Sequence, residues 1–208
     1  MIAVIDYGAG NTRSVSNALK ALGYEAILTG DGEKIRRADH VILPGVGAFG
    51  DAMERLRAVS LDEVIRETVS SGTPFLGICL GQQLLMDSSE ESRGVKGLGI
   101  IHGTCRRIPE GTGRKVPQIG WNDLSAPAGR QCPGRLFLDV PAHSYVYFVH
   151  SYYTVPDDSA VISAVTEYGV TIPASLEQGN VTACQFHPEK SAETGMQILR
   201  NFMRADGC

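Results

Sequence analysis

Residues 73–85, TPFLGICLGQQLL, set an apolar run directly against a helical pattern, with Gly77-Ile78-Cys79-Leu80-Gly81 at the junction. A strand that feeds a helix with no loop between them has the form of a nucleophile elbow, whose central residue takes strained backbone angles. The glycines two positions before and two after Cys79 remove side chains that would otherwise collide there. The thiol is then presented alone at the carboxyl edge of a sheet, where the N–H groups opening the helix favour thiolate over thiol. The bland alternative is a buried structural cysteine, because free cysteine is among the most buried residue types. The flanking glycines make that the lesser reading for Cys79, whereas nothing lifts Cys105, Cys132, Cys184 or Cys208 above it.

Working outward, the apolar runs IAVID, YEAIL and HVIL alternate with a helical pattern from Asn11 to Leu22, and two amphipathic stretches fill 50–71. That rhythm predicts a parallel sheet with crossover helices. From about residue 96 the texture changes to LGIIHGTCRRI, KVPQIGWNDL, VYFVHSYYTV, AVISAVTEYG and NVTACQFH, strand-like pieces broken by Gly, Pro and Asn and partly antiparallel. A last helical pattern, Thr194 to Met203, sets Met196, Leu199, Phe202 and Met203 on one face. The expectation is an α/β fold: a mostly parallel central sheet, helices on both faces and extra antiparallel strands in the C-terminal half. One domain over 1–208 suits the length, and residues 125–135, SAPAGRQCPGR, read as an exposed loop.

A formal net charge of −4, a pI near 5.7 and no lysine or arginine run longer than two exclude the footprint of nucleic-acid or membrane-surface binding. Small molecules and proteins are the expected partners. The opening MIAVIDYG resembles neither a signal peptide nor a membrane span, so a cytoplasmic location is expected. Five cysteines, an odd number without a CxxC pair, fit neither a disulfide framework nor a zinc site; no metal and no cofactor are expected.

A cysteine nucleophile needs a base within reach and a third group to orient it. ACQFHPEKS, 183–191, offers both: an apolar strand runs into His187, and Glu189 follows across a proline. If the chain stays extended, the two side chains project to the same side and the carboxylate reaches the imidazole. His40 opens a strand, His102 lies in a strand-like segment and His143 follows a loop proline, so each reads as structural. His150, in YFVHSYY, is the competing candidate but lacks a nearby acid. Acyl transfer also needs donors for the developing oxyanion. The run LPGVGAFGD at 43–51 supplies candidates: the backbone N–H of Val46 or Gly47, with that of Leu80 after the nucleophile. DYGAGN at 6–11 reads as a tight turn rather than a phosphate cradle.

With these residues in hand the sequence resembles the class I (triad) glutamine amidotransferases, of flavodoxin-like layout, and within them the glutaminase subunits of imidazole glycerol phosphate synthases. The motifs IDYGAGN, LPGVGAFGDAM, PFLGICLGQQ, GLG, VPQIGWN, YFVHSYY and QFHPEKS carry the resemblance in order along nearly the whole chain. Gln82 stands where methionine is frequent, and Gln118 where histidine is frequent. The resemblance implies hydrolysis of glutamine to glutamate by Cys79, His187 and Glu189. It implies glutamine contacts from Gly45, Gly47 and Gln83 and from backbone groups of Ser151 and Tyr152. It further implies a heterodimer with a (β/α)8-barrel cyclase that uses the ammonia to give imidazole glycerol phosphate and an aminoimidazole carboxamide ribonucleotide, in histidine synthesis. Tyr147 and Lys190 match positions at the channel mouth, and Asn11, Trp121 and Asn122 positions at or near the subunit interface. From the residues alone, Lys190 reads as a solvated charge and Trp121 as a core aromatic. The other readings are a glutaminase for another synthase, such as pyridoxal phosphate synthase, a partner-free cysteine hydrolase, and a non-catalytic module whose cysteine senses oxidation.

Overall fold

The computed structural model describes residues 1–111, 113–129 and 134–204; Cys132, Cys208 and the middle of the 125–135 loop lie outside the described residues. The first half runs β1 (Ile2–Ile5), α1 (Thr12–Ala21), β2 (Ala26–Thr29), α2 (Gly32–Arg36), β3 (His40–Gly45), α3 (Phe49–Ala58), α4 (Leu61–Ser70), β4 (Phe75–Cys79) and α5 (Leu80–Leu84). The second half adds β5 (Ser88–Ser89), β6 (Gly103–Arg107), β7 (Gln118–Asp123), β8 (Tyr145–His150), β9 (Tyr152–Pro156), β10 (Ile162–Glu167), β11 (Thr171–Gln178), β12 (Val181–Cys184) and α6 (Ala192–Met203). A seven-stranded sheet has the order β10-β11-β12-β4-β3-β1-β2. Its strands from β12 to β2 pair in parallel, and β10 and β11 complete it antiparallel. Two small sheets, β5-β6-β9 and β7-β8, lie outside it.

Alternation along the strands sends apolar side chains to both faces. Ala3, Ile5, Val41, Leu43 and Phe75 enter the layer beneath α2, α3, α4 and α5, while Ile2, Val4, Ile42, Leu76 and Ile78 enter the layer closed by α1 and α6. On α6 the expected face is shifted: Ile198, Leu199 and Phe202 are buried, whereas Met196 and Met203 only pack against its margin.

Three elements depart from expectation. The strand expected over LGIIHGTCRRI begins only at Gly103. TIPASLEQ forms β11 despite Pro173 in its middle; β12 pairs with it only from Ser175 onward, so the missing proline N–H costs no ladder bond on that side. VYFVHSYYTV is not one strand. It breaks at Ser151, with β8 paired to β7 and β9 paired to β6. The carboxyl ends of β3, β4 and β12 are neighbours in the sheet, the position at which open α/β sheets carry their ligand crevice.

Candidate active site

Cys79 ends β4 with φ 56° and ψ −109°, a conformation ordinarily closed to side-chain-bearing residues, and the helix α5 starts at the next residue. The chain can bend this tightly because of its two glycines. A Cβ on Gly77 would lie 2.9 Å from the Gly81 carbonyl oxygen, and one on Gly81 would run into the Leu43 carbonyl of β3. Gly45, paired in register with Cys79, is needed for the same close approach: a Cβ there would lie 2.9 Å from both Leu80 and the Tyr7 hydroxyl.

Past β12 the chain reaches His187 in extended conformation and then turns, as Pro188–Lys190, into a single turn of 3₁₀ helix. The extended i, i+2 geometry expected for the acid is therefore absent, yet His187 Nδ1 and Glu189 Oε1 stand 2.8 Å apart with both side chains buried. The turn is held from outside. Ser191 donates its hydroxyl to the His187 carbonyl and accepts from the Tyr147 N–H, and the His187 N–H donates to the Tyr147 carbonyl. Asn11 donates from Nδ2 to Glu189 Oε1 at 3.2 Å and itself accepts from Ser14. Burial by itself opposes the imidazolium, but the Cys79 sulfur and the Glu189 carboxylate outweigh it and move the His187 pKa from 6.5 up to about 9. Among the described residues His187 Nε2 has no partner in hydrogen-bond geometry, so the attraction to Cys79 acts across a gap of the kind catalytic pairs show before substrate tightens them.

Cys79 and His187 open onto one cavity of about 250 Å³, lined also by Val46, Gly47, Leu80, Gln83, Glu91, Val149, His150, Ser151 and Tyr152. Gly45, expected to touch substrate, is not among the lining residues; its place is in the packing beneath the elbow. Gly47 has φ +95°, and Val46 beside it is exposed, so this turn lies open at the cavity mouth. Ser151 and Tyr152 arrive there because the chain changes sheets between β8 and β9.

Glu91 and Gln185 are functional candidates that sequence reasoning missed. Glu91 is brought to the wall by a tertiary bond, its Oε2 accepting from the Phe49 N–H at 2.7 Å where α3 begins. Gln185 has its Nε2 3.8 Å from Cys79 Sγ. His150 lines the cavity as a structural residue rather than a base: it is buried, which pushes its pKa down to about 4. A neutral ring gives one donor, and Nδ1, 2.9 Å from the Tyr152 carbonyl, must be that donor. Nε2 is then an acceptor, and the Gln118 amide 3.1 Å away satisfies it once its nitrogen, which has no other partner among the described residues, faces the ring.

Cys105 and Cys184 are buried thiols pushed up by that burial, and His102 and His143 are exposed and paired with Asp87 and Asp123. Trp121 is not a core aromatic but 52% exposed, and with exposed Ile119 and Tyr145 it forms the outer surface of the β7-β8 hairpin. Its ring meets Tyr147 at 6.1 Å, and the Lys190 ammonium stands 5.9 Å over the Tyr147 ring. Asn122 donates to the Glu167 carbonyl. No described helix is long and apolar enough to cross a membrane.

Residues 3–205 match the family described as glutamine amidotransferase class-I. The imidazole glycerol phosphate synthase subunit HisH of Moorella thermoacetica is 48% identical, over 97% of this chain and 93% of its own. The subunit of the same name from Methanothermobacter thermautotrophicus is 48% identical over 98% of both, and that from Bacillus cereus 50% identical over 97% of this chain and 93% of its own. Among solved structures, a glutamine amidotransferase superposes with TM-score 0.76 at 21% identity, covering 98% of each chain. PurLQS from Thermotoga maritima superposes with TM-score 0.72 at 21% identity, covering 98% of this chain and 97% of its own.

Proposed function

The chain belongs to the class I glutamine amidotransferases, and from that premise we propose that it is the glutaminase subunit of an imidazole glycerol phosphate synthase, freeing ammonia from glutamine at the Cys79 cavity for a partner subunit. One observation carries the reading: elbow cysteine, imidazole and two N–H-bearing turns all open onto the same 250 Å³ cavity. The near-full-length relatives named as HisH subunits support the choice of synthase.

In the proposed reaction the Cys79 sulfur forms a bond to the amide carbon of glutamine, and the carbonyl electron pair moves onto oxygen. The N–H of Leu80 and that of Val46 or Gly47 receive this oxyanion. His187 gives its proton to the departing ammonia; it then takes one from water, whose oxygen displaces the sulfur and releases glutamate. Glu189 holds the imidazole through Nδ1 and stabilises its charged form. At the amino-acid end, Glu91 and Gln83 offer acceptors to the ammonium group. Both protons of the Gln83 amide are spent on Tyr152 and Gln185, which leaves its oxygen for the ligand. Backbone groups of Ser151 and Tyr152 face the α-carboxylate, and Gly47 borders the site.

The partner is a (β/α)8-barrel cyclase docking as a heterodimer against the β7-β8 hairpin, with Trp121, Asn122 and Asn11 at or near the contact and Tyr147 and Lys190 at the channel mouth. Mixing the chain with such a cyclase and measuring glutamate release with and without its nucleotide substrate tests this. Release that rises on assembly, and labelling of Cys79 by a glutamine-shaped electrophile, are expected. A Cys79 inert to that electrophile would remove the glutaminase, and a glutaminase indifferent to the cyclase would point to another synthase.

A further inference from the structure

Gln185 is fully buried, one residue beyond β12 and two before His187, with its backbone N–H fixed on the Ala174 carbonyl. Which end of its amide meets Cys79 follows from a chain of donors. Gln83 Nε2 lies 2.9 Å from the Tyr152 carbonyl oxygen and 3.0 Å from Gln185 Oε1. A carbonyl oxygen only accepts, so the Gln83 atom facing it must be the nitrogen. The second proton on that nitrogen requires an oxygen from Gln185. The other end of Gln185, 3.8 Å from Cys79 Sγ, is therefore the nitrogen, with a proton to give. Side-chain amides are commonly ambiguous in this respect, and here a backbone group removes the ambiguity.

We propose that Gln185 is a further catalytic residue: its Nε2–H donates to the Cys79 sulfur and holds it as the attacking thiolate. The inference rests on the reading of Cys79 as nucleophile. Two neighbours of the sulfur favour opposite protonation states. The Val149 carbonyl, 3.9 Å away, accepts only from S–H, whereas Gln185 donates best to S⁻, because hydrogen bonds to charged acceptors are the stronger kind. The titratable groups around the sulfur are the His187 imidazole, the Tyr7 hydroxyl and the Cys184 thiol, with His150 and Glu91 on the cavity wall. His187 moves its proton during turnover, so its help to the sulfur is intermittent; the Gln185 amide cannot titrate and stays in place. Because Gln83 lines the cavity and bonds Gln185, substrate held by Gln83 is linked through one amide to the nucleophile.

The test is the pH dependence of Cys79 alkylation by iodoacetamide in the full-length chain, followed by mass on the Cys79 peptide. Gln185→Leu removes the donor at similar volume and should raise the alkylation midpoint by about one pH unit, ~10-fold less thiolate at a fixed pH or ~1.4 kcal/mol. Gln185→Glu should raise it further, since oxygen replaces nitrogen beside the sulfur. In the assembled enzyme kcat should fall by a similar factor with KM nearly unchanged. The wild-type chain supplies a readout immune to misfolding: the Gln185 side-chain amide protons should shift in NMR spectra as Cys79 ionises. Amide protons that do not move, or a Gln185→Leu midpoint equal to that of the wild type, would overturn the proposal and leave the nucleophile reading standing. A wild-type Cys79 that resists alkylation at every pH would sink both.

Discussion

Replacing Glu189 by glutamine keeps shape and removes charge, so the structure sets what must follow. The Glu189 oxygen that meets His187 Nδ1 at 2.8 Å also accepts from Asn11 at 3.2 Å, and an amide oxygen, with two lone pairs, can take over both bonds. The ring therefore keeps its orientation. What is lost is the charge assistance, the roughly 1–1.5 kcal/mol by which a hydrogen bond to an ionised group exceeds a neutral one. At ~1.4 kcal/mol per unit that lowers the imidazole pKa by roughly one unit from its value of about 9. The second amide atom takes the place of Oε2, which has no partner among the described residues, and two N–H groups buried there should destabilise the variant by about 1–3 kcal/mol. The His187 proton is needed for the leaving ammonia, so the alkaline limb of glutamate release by the assembled enzyme should move down with the pKa. With the pKa at about 8, kcat should drop about 2-fold at pH 8 and about 5-fold at pH 9, the ratios of protonated imidazole left, with little change in KM. The sign for stability is fixed independently. A histidine raised from 6.5 to about 9 on folding contributes stability fully present below 6.5 and lost as pH climbs through about 9. The charge-dependent part of the wild type's extra stability over Glu189→Gln should fade across that window in urea titrations, leaving only the pH-independent cost of the buried N–H groups. An unmoved alkaline limb with unchanged kcat would remove Glu189 from the chemistry.

Cys79→Ala should abolish glutamine-dependent synthesis by the assembled enzyme and leave synthesis from added ammonium salts intact; loss of both would refute the division of labour between subunits. Gly81→Ala pushes a Cβ into the Leu43 carbonyl, backbone that cannot step aside, so urea unfolding should show a loss of ~1–3 kcal/mol, and a change within about 0.5 kcal/mol would deny the packing role. Trp121 is the single tryptophan and half exposed, so adding the cyclase should shift its emission to shorter wavelength. An unchanged spectrum under saturating assembly would move the docking face elsewhere.

What was legible in the sequence was what local chemistry dictates. The elbow announces itself because glycines must stand where Gly77 and Gly81 stand, and the parallel half because its apolar runs are bounded by helical patterns. Where the sequence misled, partners distant along the chain decided. Nothing near Ser151 marks a strand end; the break appears because β8 finds β7 and β9 finds β6, pairings across about thirty and about fifty residues. Pro173 hides β11 from any local rule, and only the short reach of β12 excuses it. Glu91 has no periodic signal to offer, since an α3 N–H places it, and Gln185 passes for one more member of an apolar strand until its amide is followed to Gln83.

The same tertiary bonds would give a partner docked as proposed a route to the catalytic groups. Asn11, placed by resemblance at the docking face, bonds directly to Glu189, so the acid that orients the imidazole is one side chain from that face. Tyr147 stands between the exposed Trp121 and Lys190, and its carbonyl and N–H hold the turn that carries His187, the former directly and the latter through Ser191. A partner docked as proposed on the β7-β8 hairpin would press on groups already hydrogen-bonded to the base and its acid. Four hydrogen bonds make up that route: Asn11 to Glu189, the His187 N–H to the Tyr147 carbonyl, the Tyr147 N–H to Ser191, and Ser191 to the His187 carbonyl. The bulk of the protein holds these bonds in register: β8 buries Val146, Phe148 and His150 and turns Tyr147 outward, so an ordinary period-2 strand presents one face to the core and the other to the proposed docking surface.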